Sequence, residues 1–306
     1  MMSITSRRTL PRPDHCRVAG LFALALTLAV TAVAGARADD ASHPQASRVV
    51  TIGGSLTEIV YALGEENRLA GRDSTSVYPP AALALPDVGY IRALSAEGVL
   101  SIKPDLIIAL EGAGPPETVG VLESAGVPFV SVPESFDADG IADKVRRVGV
   151  ALGVEEKAKT LEQKIRSDLA DAEQATGERK EQHKVMFILS MQGGRILASG
   201  RGTAANGIIT MAGAKNAFAD FEGYKQLNDE AVIAAAPDII LMMDRGGDQH
   251  LGKNDLLAHP AIVATPAAKT GHVVRMDGTF LLGFGPRTAQ AVRELVQAFD
   301  GPPLLQ

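Results

Sequence analysis

A tyrosine and an arginine two residues apart, Tyr90 and Arg92, stand in the run Pro86-Asp-Val-Gly89-Tyr90-Ile-Arg92 of a chain that holds only 4 tyrosines. Tyrosinate is a hard anionic oxygen donor that suits ferric iron, including the iron of haem. It must first lose a proton whose unperturbed pKa is about 10, so the chemistry needs a nearby cation that favours the charged form. Arg92 falls on the same side of an extended stretch as Tyr90 and could supply that charge. On residue chemistry alone, a loop tyrosine that simply packs its amphipathic ring is the plainer reading.

Other constellations are weaker. Asp244, Asp248 and His250 follow the apolar run Ile239 to Met243 and could bind a hard or borderline metal, but the residue types suit a solvated turn better. Gly200-Arg-Gly202 to Gly207, with Asp220 further on, imitates a dinucleotide fingerprint; its third glycine is misplaced and no strand immediately precedes Gly200. The sequence contains no Gly-x-Ser-x-Gly elbow, no Gly-rich loop ending in Lys-Ser/Thr and no histidine pair at zincin spacing. These patterns give no support to an enzyme.

The elements that must position Tyr90 are duplicated. Leu94-Ser-Ala-Glu97-Gly-Val99 leading to Pro104-Asp105-Leu-Ile107 recurs as Leu227-Asn-Asp-Glu230-Ala-Val232 leading to Pro237-Asp238-Ile-Ile240, at one constant offset. A fainter echo links Ser55 to Gly64 with Ala204 to Gly213, each after a β-rich run. Two copies in register predict two α/β lobes, over 48–150 and 184–300, with short apolar strands suited to mainly parallel sheets buried on both faces. Between them, 151–183 is rich in Ala, Glu, Lys and Arg, and Leu161, Ile165 and Leu169 repeat at helical spacing. That pattern predicts one long connecting helix, roughly Glu155 to Thr176, instead of a flexible linker. Ligands of open α/β sheets bind at the carboxyl ends of the strands, so two facing lobes would form a cleft there.

At the other end of the chain, Arg7, Arg8, Arg12 and Arg17 precede an apolar run ending in Ala36-Arg37-Ala38. Residues 1–38 therefore read as a signal peptide, with Ser6-Arg7-Arg8 leaving the export route open. The sole cysteine, Cys16, lies in that segment ahead of its apolar run. Cleavage would leave a thiol-free chain without disulfides, thiolate metal sites or cysteine catalysis. Removing five Arg and one Asp takes the formal charge from −6 to about −10, which argues against nucleic acid and anionic membrane surfaces as partners.

The run Val88-Gly-Tyr90-Ile-Arg92-Ala-Leu-Ser-Ala-Glu97-Gly, with Arg48-Val-Val-Thr-Ile-Gly-Gly-Ser55 before it and Leu282-Gly-Phe-Gly-Pro-Arg287 after it, resembles the haem-carrying substrate-binding proteins of bacterial ABC importers. That helical-backbone class also includes vitamin B12 and siderophore carriers, and the resemblance runs over nearly the whole chain after residue 38. It implies a monomeric periplasmic protein that serves iron acquisition by holding ferric haem between its lobes, with Tyr90 as axial ligand and Arg92 supporting it. It further implies that Glu97 and Glu230 dock against a permease dimer, and it makes Met191 and Arg245 candidate haem-pocket contacts. Some relatives bind a second haem through a histidine of the second lobe. Here that region reads Leu189-Ser-Met191-Gln-Gly-Gly, so one haem is expected. A metal-ion, corrinoid or siderophore carrier of the same fold is the alternative, and a periplasmic enzyme a more distant one.

Overall fold

The protein is described here by a computed structural model covering residues 41–174, 176, 182–244 and 256–301. The N-terminal segment read as a signal peptide, and Arg245, Asp248 and His250, lie outside the described residues. Val49–Ile52 (β1) and Leu106–Leu110 (β3) are apolar runs buried along their whole length, as strands covered on both faces must be. With Leu69–Arg72 (β2) and Phe129–Val132 (β4) they form a parallel sheet in the order β2-β1-β3-β4. The same plan recurs in the second lobe. There Lys184–Gln192 (β5), Ile239–Asp244 (β9) and Val273–Asp277 (β10) pair in parallel, and the short Lys215–Asn216 (β7) pairs with the start of β5. What the second lobe adds is an antiparallel pair, Arg195–Ser199 (β6) against the far half of β5 and Tyr224–Leu227 (β8) against β6.

The duplication reaches individual hydrogen bonds. Ser95 caps Ala96–Ser101 (α2) by accepting from the Gly98 amide, and Asn228 caps Asp229–Ala235 (α7) by accepting from the Ala231 amide. Lys103 and Ala236, at equivalent places after those helices, both take left-handed backbone, with φ of 53° and 46°. Asp105 then accepts the Arg48 amide and Asp238 the Lys184 amide, each carboxylate tying the repeat to the first strand of its lobe. The fainter echo holds as well: Gly54–Ala62 (α1) and Ala204–Met211 (α6) end at Gly64 and Gly213, with φ of 71° and 70°.

Pro116–Ser124 (α3) leads from β3 to β4, and two further helices follow before the second sheet begins. Ala138–Leu152 (α4) ends at the left-handed Gly153, and Glu155–Gln174 (α5) runs back along it. Their approach is close enough that a Cβ on Gly149 would lie 2.2 Å from that of Ala158. Ile165 and Leu169 of the α5 stripe are buried, and the C-terminal helix Thr288–Asp300 packs on α5. One continuous apolar core includes Leu56 and Leu106 of the first lobe, Ile165 of α5, and Phe187 and Leu295 of the second. The opposite sheet faces carry separate clusters, Val50, Ile52 and Ile107 in the first lobe and Met186, Ile188 and Ile240 in the second. Among the described residues no helix is long and apolar enough to cross a membrane.

Candidate functional site

A cleft of about 840 Å3 opens between the lobes, walled by loops that follow β1, β3, β9 and β10. Tyr90 and Arg92 enter it from the first lobe, and Leu189, Tyr224 and Met243 from the second. A smaller concavity of about 660 Å3, beside α4 and α6, has no arginine or tyrosine among its described lining residues.

The Tyr90 loop is held from several sides. Asp87 accepts from the Gly89 amide at 2.8 Å and pairs at 2.8 Å with Arg72, whose side chain is buried in β2. Gly89, at φ 104°, makes a backbone turn that a side chain would strain. Its carbonyl accepts from the Ser74 amide, and the Tyr90 carbonyl accepts from the Ala93 amide at 2.7 Å. Behind Tyr90, the buried Asp73 accepts from the Gly53 amide and from the hydroxyls of Thr75 and Ser76, fixing the loop that enters α1. Gly53 sits so close to Leu110 that a Cβ there would meet that side chain at 2.5 Å. The result is an anchored loop that leaves the Tyr90 side chain 48% exposed to the cleft.

On the opposite wall the structure sorts the second-lobe candidates. Before the irregularity between Ile188 and Ser190, the even residues of β5 face the second-lobe cluster; after it, Met191 does. A bulge shifts the alternation of side chains by one, so Met191 packs in that cluster and Leu189 is the residue of β5 that reaches the cleft. Met243, at the end of β9, supplies the thioether that lines it. The glycine-rich stretch from Gly200 serves close backbone approach, since a Cβ on Gly200 would lie 2.3 Å from the Phe221 carbonyl and one on Gly207 2.4 Å from that of Phe136.

Tyr224, the first residue of β8, has no signal in the sequence: at the offset of the repeat Tyr90 corresponds to Gly223, and Tyr224 enters the cleft on a strand that the first lobe lacks. Burial raises its pKa, opposed by the positive charge of Arg92 and a hydrogen bond with Thr203. Arg92 therefore acts electrostatically across the cleft, on the tyrosine of the other lobe.

The cleft is otherwise acidic, and much of that charge is paired with cations, one buried and one partly buried. Glu58 of α1 receives a bidentate pair from Arg287, at 3.0 and 2.5 Å, while the guanidinium lies 3.6 Å from the ring centre of Tyr78. Burial raises the Glu58 pKa and Arg287 counteracts it. Glu134 pairs at 3.0 Å with Lys144, a fully buried lysine whose pKa burial lowers against the pull of that carboxylate. Glu97 and Glu230 lie away from the cleft, both exposed and both in the first turn of their helices. Among the described residues, no group of three or more His, Cys, Asp or Glu could hold a metal ion.

Residues 49–279 match the Periplasmic binding protein family. The chain belongs to that family. Like other periplasmic binding proteins it can be compared over most of its length. It is similar to the solved periplasmic haem-binding protein BhuT in complex with two haems, with 42% identity and a TM-score of 0.78 over 82% of this chain and 97% of that one. An uncharacterized ABC transporter substrate-binding lipoprotein of Bacillus subtilis is 29% identical over 269 residues, 85% of this chain and 84% of that protein. The vitamin B12-binding protein of Salmonella typhimurium is 29% identical over 206 residues, 66% of this chain and 74% of that protein.

Proposed function

We propose that this periplasmic binding protein captures ferric haem in its inter-lobe cleft, as a monomer outside the cytoplasmic membrane, and delivers it to the permease of an ABC importer. One observation carries the reading: an exposed phenol beside an arginine, on an anchored loop, in a cleft of about 840 Å3 of a chain whose fold is similar to that of a haem-binding protein 42% identical to it. In this reading Tyr90 ligates the iron through its phenolate oxygen, and Arg92, two residues on in the same loop, supports it. Met243 and Leu189 offer apolar surface to the porphyrin face. Glu97 and Glu230, at equivalent places of the two lobes, face the two halves of a permease dimer. The reading involves no catalytic step.

Mixing the purified protein with ferric haem should give a tyrosinate-to-iron charge-transfer band and a titration break at one haem. Tyr90→Phe keeps the ring and removes the oxygen, so the band should vanish and affinity should fall. An unchanged spectrum in that variant would remove Tyr90 as ligand. The second reading, a corrinoid carrier, draws on the similarity to a vitamin B12-binding protein. Titration with cyanocobalamin separates the two, since the haem reading expects no saturable binding of it.

A further inference from the structure

We infer that Arg92 of the first lobe and Tyr224 of the second form a clamp for a carboxylate of the bound ligand, and so decide which edge of a planar dicarboxylate faces them. The inference rests on the haem reading and adds to it a residue that neither the repeat nor the Tyr90 loop brings into play.

Charge narrows the choice of place. Arg92 is the only cation among the described residues that line the cleft, whereas Glu58, Glu111, Glu134, Asp244 and Asp277 all line it. Among the described residues Arg92 has no carboxylate partner, while Glu58, Glu134 and Asp244 are already paired with Arg287, Lys144 and Arg275. An anionic edge of a ligand is therefore attracted at Arg92 and meets negative charge at Glu111 and Asp277. Like charges brought together in a partly desolvated site cost several kcal/mol, so this polarity can fix orientation.

Tyr224 completes that point from the other lobe. It is 41% exposed and lines the same cleft as Arg92, from the facing wall. Its strand belongs to the antiparallel pair β6 and β8, which the first lobe lacks. Ser199 of β6 faces Tyr224 directly, and the Gly200 amide donates to the Gly223 carbonyl at 2.7 Å. The second lobe thus fixes the backbone that carries Tyr224. With burial raising its pKa, Tyr224 keeps its proton at neutral pH and offers an O–H donor, the complement of a carboxylate. The two tyrosines, one on each lobe, divide the work: one faces the metal, the other an acidic edge.

The test compares Tyr224→Phe with wild type for three probes: ferric protoporphyrin IX, metal-free protoporphyrin IX, and its dimethyl ester, in which both carboxylates are capped. A hydrogen bond to a charged group is worth roughly 1.5–3 kcal/mol, so the variant should bind both free acids about tenfold more weakly or worse. It should bind the diester as wild type does, and it should keep the charge-transfer band with ferric haem. Equal losses for acid and ester, or no loss for the acids, would overturn the clamp. So would a variant that loses the band or half of its haem, since Tyr224 would then be an iron ligand. If wild type binds the metal-free acid with the expected dependence on Tyr224 but shows no iron-tyrosinate band, the ligation by Tyr90 falls and the clamp stands.

Discussion

At Glu58 burial and pairing pull in opposite directions. The carboxyl is almost wholly buried in α1, which raises its pKa, and the bidentate contact with Arg287 resists the rise. A folded-state pKa above the unfolded value means that folding favours the protonated acid. The stability this contributes is present at low pH and is lost as pH rises through the folded pKa. Arg287→Met removes the opposing charge while keeping apolar bulk against Tyr78, so the folded pKa should rise further. Leaving one partner of a buried pair unmatched typically costs about 3–5 kcal/mol, and the loss should be largest where Glu58 is ionised. Thermal unfolding should show a large deficit for the variant at pH 7.5 that narrows by pH 5. A deficit independent of pH would assign the effect to packing over Tyr78 and Phe280 instead.

Among the elements, α5 sets how the lobes can move. Its 20 residues, Glu155–Gln174, include neither Gly nor Pro, and it is packed along α4 on one side and along the C-terminal helix on the other. The apolar core passes through it from lobe to lobe, so opening the cleft by a wide rotation would expose Ile165 and Leu169 to water. Hinges are placed where a few residues can absorb large backbone changes, and α5 offers none. Small-angle scattering should therefore give the same radius of gyration for the ligand-free and haem-loaded protein. A marked contraction on loading would show that the joint bends.

For the whole molecule, the duplication makes delivery a question of symmetry. The caps Ser95 and Asn228 place Glu97 and Glu230 in the same exposed position of the same turn, one on each lobe. A carrier with two related carboxylates is matched to a two-fold partner presenting arginines, where contacts can be bidentate and fix orientation. Exposed ion pairs contribute only about 0–1 kcal/mol each, so either single change should be tolerated. Reversing both, Glu97→Lys with Glu230→Lys, should impair haem-stimulated ATPase of the reconstituted importer and leave haem affinity as it was. Stimulation equal to wild type, or lost haem affinity, would exclude these glutamates as the docking pair.

What could be read from the chain is what local chemistry specifies. Capping side chains, Pro-Asp joins and short apolar runs act within a few residues, so both copies of the repeat, the two-lobed α/β plan and the α5 helix were legible, as was the Gly89-Tyr90-Ile-Arg92 run. The rest depends on residues that meet only after folding. Arg287 reaches Glu58 across 229 positions, and no spacing rule connects them. The irregularity in β5 reverses which side chains face the cleft, so Leu189 took the place expected for Met191. Tyr224 became part of the cleft only because β8 pairs with β6 and carries it opposite Arg92. A sheet register and a pairing across lobes are settled by the packing of whole surfaces, and a pattern of neighbours along the chain does not contain them.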